Sequence, residues 1–452
     1  MFTLTQTRLL KYMKPILTTV FIFLALKAVS QPWPGYNTSK FAGIHSLLYQ
    51  PEIHSVMPSD WDINVFSTNL TFFNENFFGL DPMEELSSRN INGISDVSKN
   101  RTGYVNAVIQ FPSVAYRINE KSTVGFSWRL RALLLSNISD GQLSNFINNI
   151  QNSNGDPASF ANEFARGVIT TWDSYGFFYS REILNKKSHK LYAGVTLNIL
   201  SGGGTAYLDL SNINFSYNDG ILSDVDLRFR MAVTEEIDKF LNEDKIPLFS
   251  RIGLGADFGI NYVKTDETGV DYLYKFGLGV VGLGKVNYNT SFANHVNVKI
   301  NQISKSSFSE IESFSQLMDT LTANFDIDNT STDQLSTRIP TIINLYGDVR
   351  LHDRFYLHVA FTRQITYFGN EKFDDFSFNQ FYIVPKYETK KIGVYLPFTY
   401  NKFLNLESGV AFRWKPLIIG SGNIFSYLVK SSESTNLDIY FATRIMINRK
   451  KK

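Results

Sequence analysis

Cysteine is absent from the 452 residues of this chain. That absence excludes disulfide bonds, cysteine nucleophiles and cysteine-ligated zinc. Charge is also sparse, because charged residues make up 19% of the chain, against ~25% in typical soluble domains. The formal charge is only +2, and a nucleic-acid partner would require a clearly basic surface. We therefore expect no nucleic-acid partner.

Long hydrophobic runs are missing as well. The apolar run Val20–Leu26 has seven residues, whereas a membrane-spanning helix needs ~20. It is followed by Ala28-Val29-Ser30 and preceded by three basic residues, Arg8, Lys11 and Lys14. This order predicts a signal peptide over residues 1–30, cleaved after about Ser30. An N-terminal membrane anchor is the alternative, and Met13 is an alternative start to Met1.

Aromatic residues are abundant, at 15% of the chain with 38 Phe and 23 Tyr. Many of them lie in segments in which apolar and polar residues alternate. In Arg251–Tyr262 every even position is apolar or aromatic, and every odd position is glycine, charged or Asn. Residues 124–134 and 404–415 repeat the pattern. Alternation over about ten residues predicts strands with one apolar face.

An exported chain with many such strands and no disulfides fits a sheet that closes on itself in lipid, so that every backbone group is paired. We therefore predict an all-β fold: a transmembrane antiparallel β-barrel of about 14 strands (range 12–16) over residues 60–448, with short helical insertions in loops. A periplasmic or surface β-sandwich is the alternative. The pattern also predicts a loop with helical pieces at 136–170, a hairpin turn at 202–204 and an amphipathic helix at 307–323.

Charged residues on the polar faces of these strands are candidates for the barrel lumen. A polar lumen is typical of such barrels, and the charges could contact a ligand or pair with one another in a filled interior. The candidates are Arg129, Arg131, Arg228, Arg230, Asp257, Glu407 and Arg413.

Residues 31–59 precede the first well-patterned strand and have no clear period. Proline and glycine recur there and favour a compact irregular path. A barrel of about 14 strands is wide enough to enclose such a segment. We predict a hatch inside the lumen that includes Gly43, Leu47 and Pro51, with a periplasmic tether of the first strand as the equal alternative.

Motifs for catalysis are not found in the sequence. The six histidines do not have zincin spacing, and there is no G-x-S-x-G elbow. We expect no enzymatic activity, no metal and no cofactor; a membrane-embedded hydrolase is the least favoured hypothesis.

Two regions carry a resemblance to known proteins. Gly43–Glu52 followed by Trp61–Val65 resembles the opening of FadL-like and PorV-like outer-membrane barrels, although Tyr49-Gln50-Pro51-Glu52 stands where those proteins have Asn-Pro-Ala. An ordered set of later motifs resembles an uncharacterised family of Gram-negative outer-membrane barrels, known mainly as a domain of unknown function. These motifs are Arg338–Thr341, Val384–Tyr387, Tyr395–Phe398, Gly420–Asn423 and Leu437–Tyr440.

The resemblance implies a location in the cell outer membrane, in contact with its lipid. It also implies a FadL-like conduit for a small hydrophobic ligand. The alternative is a PorV-like protein that does not transport and instead binds an envelope protein during secretion or assembly.

Overall fold

The computed structural model describes residues 32–74, 101–139, 157–219, 221–237, 251–268, 271–304, 334–368, 371–372, 378–401, 405–429 and 435–448. Among these, fourteen strands form one ring, and five of the strands run as two segments each. The first seven are β1 (Trp61–Asn74), β2 (Arg101–Gln110 and Ser113–Asn119), β3 (Ser122–Ile138), β4 (Ala158–Lys186), β5 (His189–Asn218), β6 (Ile221–Thr234 and Ile252–Thr265) and β7 (Tyr272–Ser304).

The remaining seven complete the ring. They are β8 (Gln334–Arg338 and Thr341–His352), β9 (Phe355–Ile365), β10 (Phe378–Glu388), β11 (Ile392–Tyr395 and Phe398–Asn401), β12 (Asn405–Ser408 and Val410–Trp414), β13 (Leu417–Ser421) and β14 (Thr435–Ile447). A short helix, α1 (Ile424–Val429), follows β13. A two-stranded ribbon, Tyr367–Phe368 with Glu371–Lys372, follows β9.

The ring closes between its first and last strands. β1 and β14 pair antiparallel from Trp61 opposite Ile447 to Asn74 opposite Thr435. Neighbouring strands around the rest of the ring are also antiparallel. The fold is therefore the predicted 14-stranded antiparallel barrel. The end where β1 begins and β14 finishes is called the terminal end below.

The two faces of the wall differ in polarity as the alternation predicts. On β6, Leu254 and Phe258 point outward and are 72% and 49% exposed, whereas Asp257 and Asn261 point inward and are 3% and 0% exposed. A barrel whose outer face is apolar and whose interior is polar has the arrangement that lipid requires. The protein is a transmembrane β-barrel.

The described helices are all short, and none of them is long and apolar enough to cross a membrane.

Two local predictions are wrong. Strand β3 extends to Ile138 and β4 begins at Ala158, so residues 136–138 and 158–170 of the predicted loop are strand, and residues 140–156 lie outside the described residues. Residues 202–204 lie within β5 and not in a turn. The register between β4 and β5 shifts there, and Gly204 takes a positive φ of 127°, which glycine adopts without strain. The predicted helix at 307–323 lies outside the described residues.

Candidate functional site

The N-terminal segment (residues 32–59) lies inside the barrel. It contains three short 3₁₀ helices, Tyr36–Thr38, Gly43–Leu48 and Ile53–Val56. All of its residues are buried except four, Lys40, Phe41, Ser55 and Pro58, which are half-buried. The predicted hatch residues Gly43, Leu47 and Pro51 are all buried.

Arg444 on β14 ties this segment to the wall. Its Nε donates to Asp62 Oδ1 at 3.0 Å, and its Nη1 donates to the carbonyl oxygen of Ala42 at 2.9 Å and to the Tyr36 hydroxyl at 2.8 Å. Asp62 also accepts the backbone N–H of Ile44 at 3.0 Å. Both charges are fully buried, and each one has a charged partner and further hydrogen bonds, which buried ion pairs require.

A second buried cluster surrounds Asp348 on β8. Lys386 Nζ lies 2.5 Å from Asp348 Oδ2 and donates to the carbonyl oxygen of Thr38 at 2.7 Å. His358 bridges the same carboxylate to the segment, with Nδ1 at 3.1 Å from Asp348 and Nε2 at 2.7 Å from the Tyr49 hydroxyl. The wall thus holds the segment by charged groups on strands far apart in the chain.

Three glycines on neighbouring strands make room for the turn Tyr49–Glu52. A Cβ atom at Gly194 or Gly279 would lie 2.3 Å or 2.5 Å from a backbone oxygen of this turn. A Cβ atom at Gly259 would lie 2.0 Å from Glu52 Oε2. Since Gly194 and Gly279 both pair with Gly259, they form one side-chain-free row against which the segment packs.

Three ionisable groups of the segment are buried. Burial raises the pKa of Glu52 to about 7, although the hydroxyl of Tyr346 donates to its carboxylate and opposes the shift. Burial lowers the pKa of His45 to about 3 and that of His54 to about 4. His45 Nε2 lies 2.8 Å from Asn64 Oδ1, and His54 Nδ1 lies 2.7 Å from Thr123 Oγ1. Both histidines are therefore neutral near neutral pH.

Five of the seven predicted lumen residues are buried on the inner face: Arg129, Arg131, Asp257, Glu407 and Arg413. Arg413 lies 4.7 Å from the centre of the Phe41 ring and donates to the carbonyl oxygen of Thr389 at 2.5 Å.

The other two predicted lumen residues lie on the first segment of β6. Arg230 is half-buried, and its Nη2 lies 2.5 Å from Asp209 Oδ2, while Arg166 Nε lies 2.8 Å from Asp209 Oδ1. Arg228 is exposed. The structure therefore does not bring these two together with the other five.

Sequence reasoning missed the residues that hold the segment. Arg444, Asp348, Lys386 and His358 all occupy inward positions of strands, and Arg444 alternates with the outward-facing Ile445 and Ile447. The alternation could have identified each as facing inward, but not which of them meet.

The described residues contain no group of three or more His, Cys, Asp or Glu side chains placed to hold a metal ion.

Together, the closed wall and the enclosed segment define the class of protein: a transmembrane β-barrel whose N-terminal segment fills part of the lumen. The chain matches the model of a family of unknown function (DUF5723) over residues 55–422. This protein belongs to that family, as the sequence resemblance predicts.

The solved structures whose backbone aligns with this chain include bacterial channels. A TodX deltaS2S3 mutant monoaromatic hydrocarbon channel is 11% identical, with a TM-score of 0.45 over 93% of this chain and 98% of that chain. The toluene transporter TodX of Pseudomonas putida is 8% identical, with a TM-score of 0.34 over 93% and 98%. A FadL homologue of Pseudomonas aeruginosa is 9% identical, with a TM-score of 0.28 over 92% and 97%. No curated protein matches the chain. Likeness at these scores carries no argument about what this chain does.

Proposed function

We propose that this protein is an outer-membrane conduit for small hydrophobic molecules, with the N-terminal segment acting as a hatch in its lumen. Export by a signal peptide cleaved after about Ser30 and insertion into outer-membrane lipid are part of this proposal. The pattern of basic residues, apolar run and small residues before position 31 supports export. The apolar outer face supports insertion into lipid.

The observation that carries the proposal is the way the segment is held. Besides apolar packing against the wall, the segment is held by charge pairs and hydrogen bonds to scattered strands, such as Arg444 to Ala42 and Lys386 to Thr38. On one side the wall meets it with the glycine row Gly194, Gly259 and Gly279. Because the segment precedes β1 in the chain and is not part of the sheet, it can move without breaking the hydrogen bonds of the wall.

Deletion of residues 35–58 tests the proposal. Cells whose outer membrane carries the full protein should take up toluene faster than cells without the protein, and the deletion should change that rate while the barrel stays folded and inserted. Heat-modifiable mobility in electrophoresis reports whether the barrel is folded. Equal uptake by cells with the full protein, with the deletion variant and without any barrel would contradict a conduit.

A further inference from the structure

Two arginines on β3 are buried in the interior without the partners that such groups normally have. Arg129 and Arg131 point inward and are 2% and 6% exposed. Nε and Nη1 of Arg129 and Nε of Arg131 have no hydrogen-bond acceptor among the described residues. Guanidinium groups carry five donors in a fixed fork, and buried donors of this kind are nearly always satisfied.

Further open polar atoms surround these two residues. Gln110 is paired with Arg129 in the sheet, and its Nε2 has no acceptor among the described residues. The hydroxyls of Ser127 and Thr196 are fully buried and likewise unpartnered in the described part of the chain. We call these five residues the arginine belt: Gln110, Ser127, Arg129, Arg131 and Thr196.

A glycine brings the belt together. A Cβ atom at Gly176 would lie 2.8 Å from Ser127 Oγ, 2.8 Å from Asn198 Oδ1 and 3.0 Å from Thr196 Cγ2. Side chains of β3 and β5 thus converge over a position on β4 that has no side chain of its own. The Ser127 and Thr196 side chains and the Asn198 amide therefore surround one position of the wall.

The belt carries more positive than negative charge. Asp257 is the nearby carboxylate, and it already accepts Asn198 Nδ2 at 2.9 Å and the backbone N–H of Gly282 at 2.8 Å. Arg129 reaches Asn198 Oδ1 at 3.4 Å with Nη2. Among the described residues, no carboxylate forms an ion pair with either guanidinium group, so two buried positive charges face one acid that is occupied by other donors.

The surroundings on either side of the belt define what could enter it. Gly194 and Gly259 are the next inward-facing positions after Thr196 and Asp257 towards the terminal end. The turn Tyr49–Glu52 packs against these two glycines. Towards the opposite end, an apolar cluster lies directly above the belt; Trp172 belongs to it, with its ring centre 4.9 Å from the Arg131 guanidinium. The belt is a basic layer between the N-terminal segment and an apolar cluster.

We propose that Arg129 and Arg131 form an interior binding site for one oxyanion group, a carboxylate or a phosphate. Guanidinium forks bind such groups through two parallel N–H···O bonds, and the Gln110 amide and the two hydroxyls add donors to the same space. The site requires the closed barrel but not transport, so failure of the uptake experiment leaves it standing.

Binding to the purified full chain in detergent tests the site. Benzoate carries a carboxylate, and benzyl alcohol has a similar size without the charge. Isothermal titration should show that benzoate binds at least about tenfold more tightly, as expected for a charge-assisted pair. The double variant Arg129→Gln, Arg131→Gln should lose this preference. Arg181→Gln, which changes an exposed arginine on β4, should keep it.

Inorganic phosphate separates the two sources of the oxyanion. Binding of phosphate as well as benzoate indicates a site for a free ion, and binding of benzoate alone indicates the headgroup of a larger apolar molecule; both outcomes support the site. Equal affinity for benzoate and benzyl alcohol in the unmodified protein overturns it, as does a folded double variant that keeps the preference. If the double variant does not fold, Arg129→Lys replaces it: a reduced preference supports the site, and an unchanged preference overturns it.

Discussion

Buried arginines at two levels of the barrel interior, Arg444 at one and Arg129 and Arg131 at the other, differ in their hydrogen-bond partners. At the level of the N-terminal segment, Arg444 meets Asp62, Tyr36 and the backbone of Ala42. At the next level, Arg129 and Arg131 have open donors among the described residues. All three side chains are inward-facing and buried in the same wall.

The difference separates a structural role from a binding role. A buried charge costs free energy unless it is paired and hydrogen-bonded. Arg444 meets that condition with groups of the chain itself, so it stabilises the docked segment. The arginine belt does not meet it, so its arginines are available to a group from outside the chain.

Removing one arginine at each level should give the largest contrast. Arg444→Met leaves Asp62 as a buried unpaired carboxylate, which is expected to destabilise the protein by about 3–5 kcal/mol. Arg129→Met removes a guanidinium group whose Nε and Nη1 have no acceptor among the described residues, and should cost much less or even stabilise the ligand-free protein. Urea unfolding in lipid vesicles measures both free energies. Equal losses for the two variants would show that the two levels do not differ.

The comparison of Arg444 with Arg129 and Arg131 assumes that the outer face of the barrel wall contacts lipid. Leu254→Arg places a charge on the outer face of β6 and should reduce the free energy of unfolding by about 2–4 kcal/mol if the position lies near the middle of the bilayer. Asp257→Asn, on the inner face of the same strand, should cost less, because the interior is polar. The same urea titration measures both variants. Equal cost on the two faces would mean that β6 is not part of a membrane wall.

The glycine row sharpens the boundary between the two levels. Gly259→Ala would place a methyl group 2.0 Å from Glu52 Oε2 and 2.8 Å from Pro51 Cδ, and overpacking of this kind typically costs about 1–3 kcal/mol. We expect the segment to be displaced while the wall stays closed, detected as faster trypsin cleavage at Lys40. Gly167→Ala is the matched control, because the nearest atom to its Cβ is 3.7 Å away. The same cleavage rate in both variants would contradict close packing at the row.

A pH titration should give the smallest effect. The pKa of Glu52 is about 7 in the docked segment and 4.5 when exposed, so the docked state binds more protons between these values and docking weakens as the pH rises through them. The pKa values of His45 and His54 are lowered in the docked segment. Docking therefore also weakens as the pH falls below the pKa of an exposed histidine, because the exposed histidines then bind more protons. The comparison with Glu52→Gln isolates the carboxylate.

We expect the docking free energy of the unmodified protein, relative to Glu52→Gln, to fall by about 1–2 kcal/mol from about pH 5.5 to about pH 7. Trypsin cleavage would confound this readout, because the activity of the protease itself changes with pH. Tryptophan fluorescence of Trp33, which is fully buried in the segment, is therefore the better measurement. A difference that is flat with pH would mean that Glu52 is not buried at the row.

The wall could be predicted from the sequence because its signal is local. Leu254, Phe258 and Ile260 alternate with Gly255, Asp257 and Gly259, and a period of two fixes which face each residue occupies. The Asn-, Ser- and Asp-rich composition of residues 136–170 predicts a loop with helical pieces. Residues 158–170 are strand nonetheless, and 165–170 pair with both neighbouring strands, because tertiary pairing overrides a weak local preference.

The contacts of the interior could not be predicted, because they join residues distant in sequence. Nothing local to Arg444 indicates Asp62 as its partner, and nothing local to Gly259 indicates the turn at Glu52. Proline and glycine did indicate an irregular path for residues 31–59. Whether that path lay inside or outside the barrel depended on these distant contacts.

Cysteine labelling at position 47 tests most directly whether the N-terminal segment is folded inside the barrel. The chain has no cysteine of its own, and Leu47 is 1% exposed. In intact outer membrane, Leu47→Cys should be shielded from a bulky maleimide and reached only slowly by a small one. Lys121→Cys, in the exposed turn between β2 and β3 at the same end, should react rapidly with both reagents when that side is accessible. If the bulky and the small maleimide label position 47 as fast as position 121, the segment is a free tail and the account is wrong.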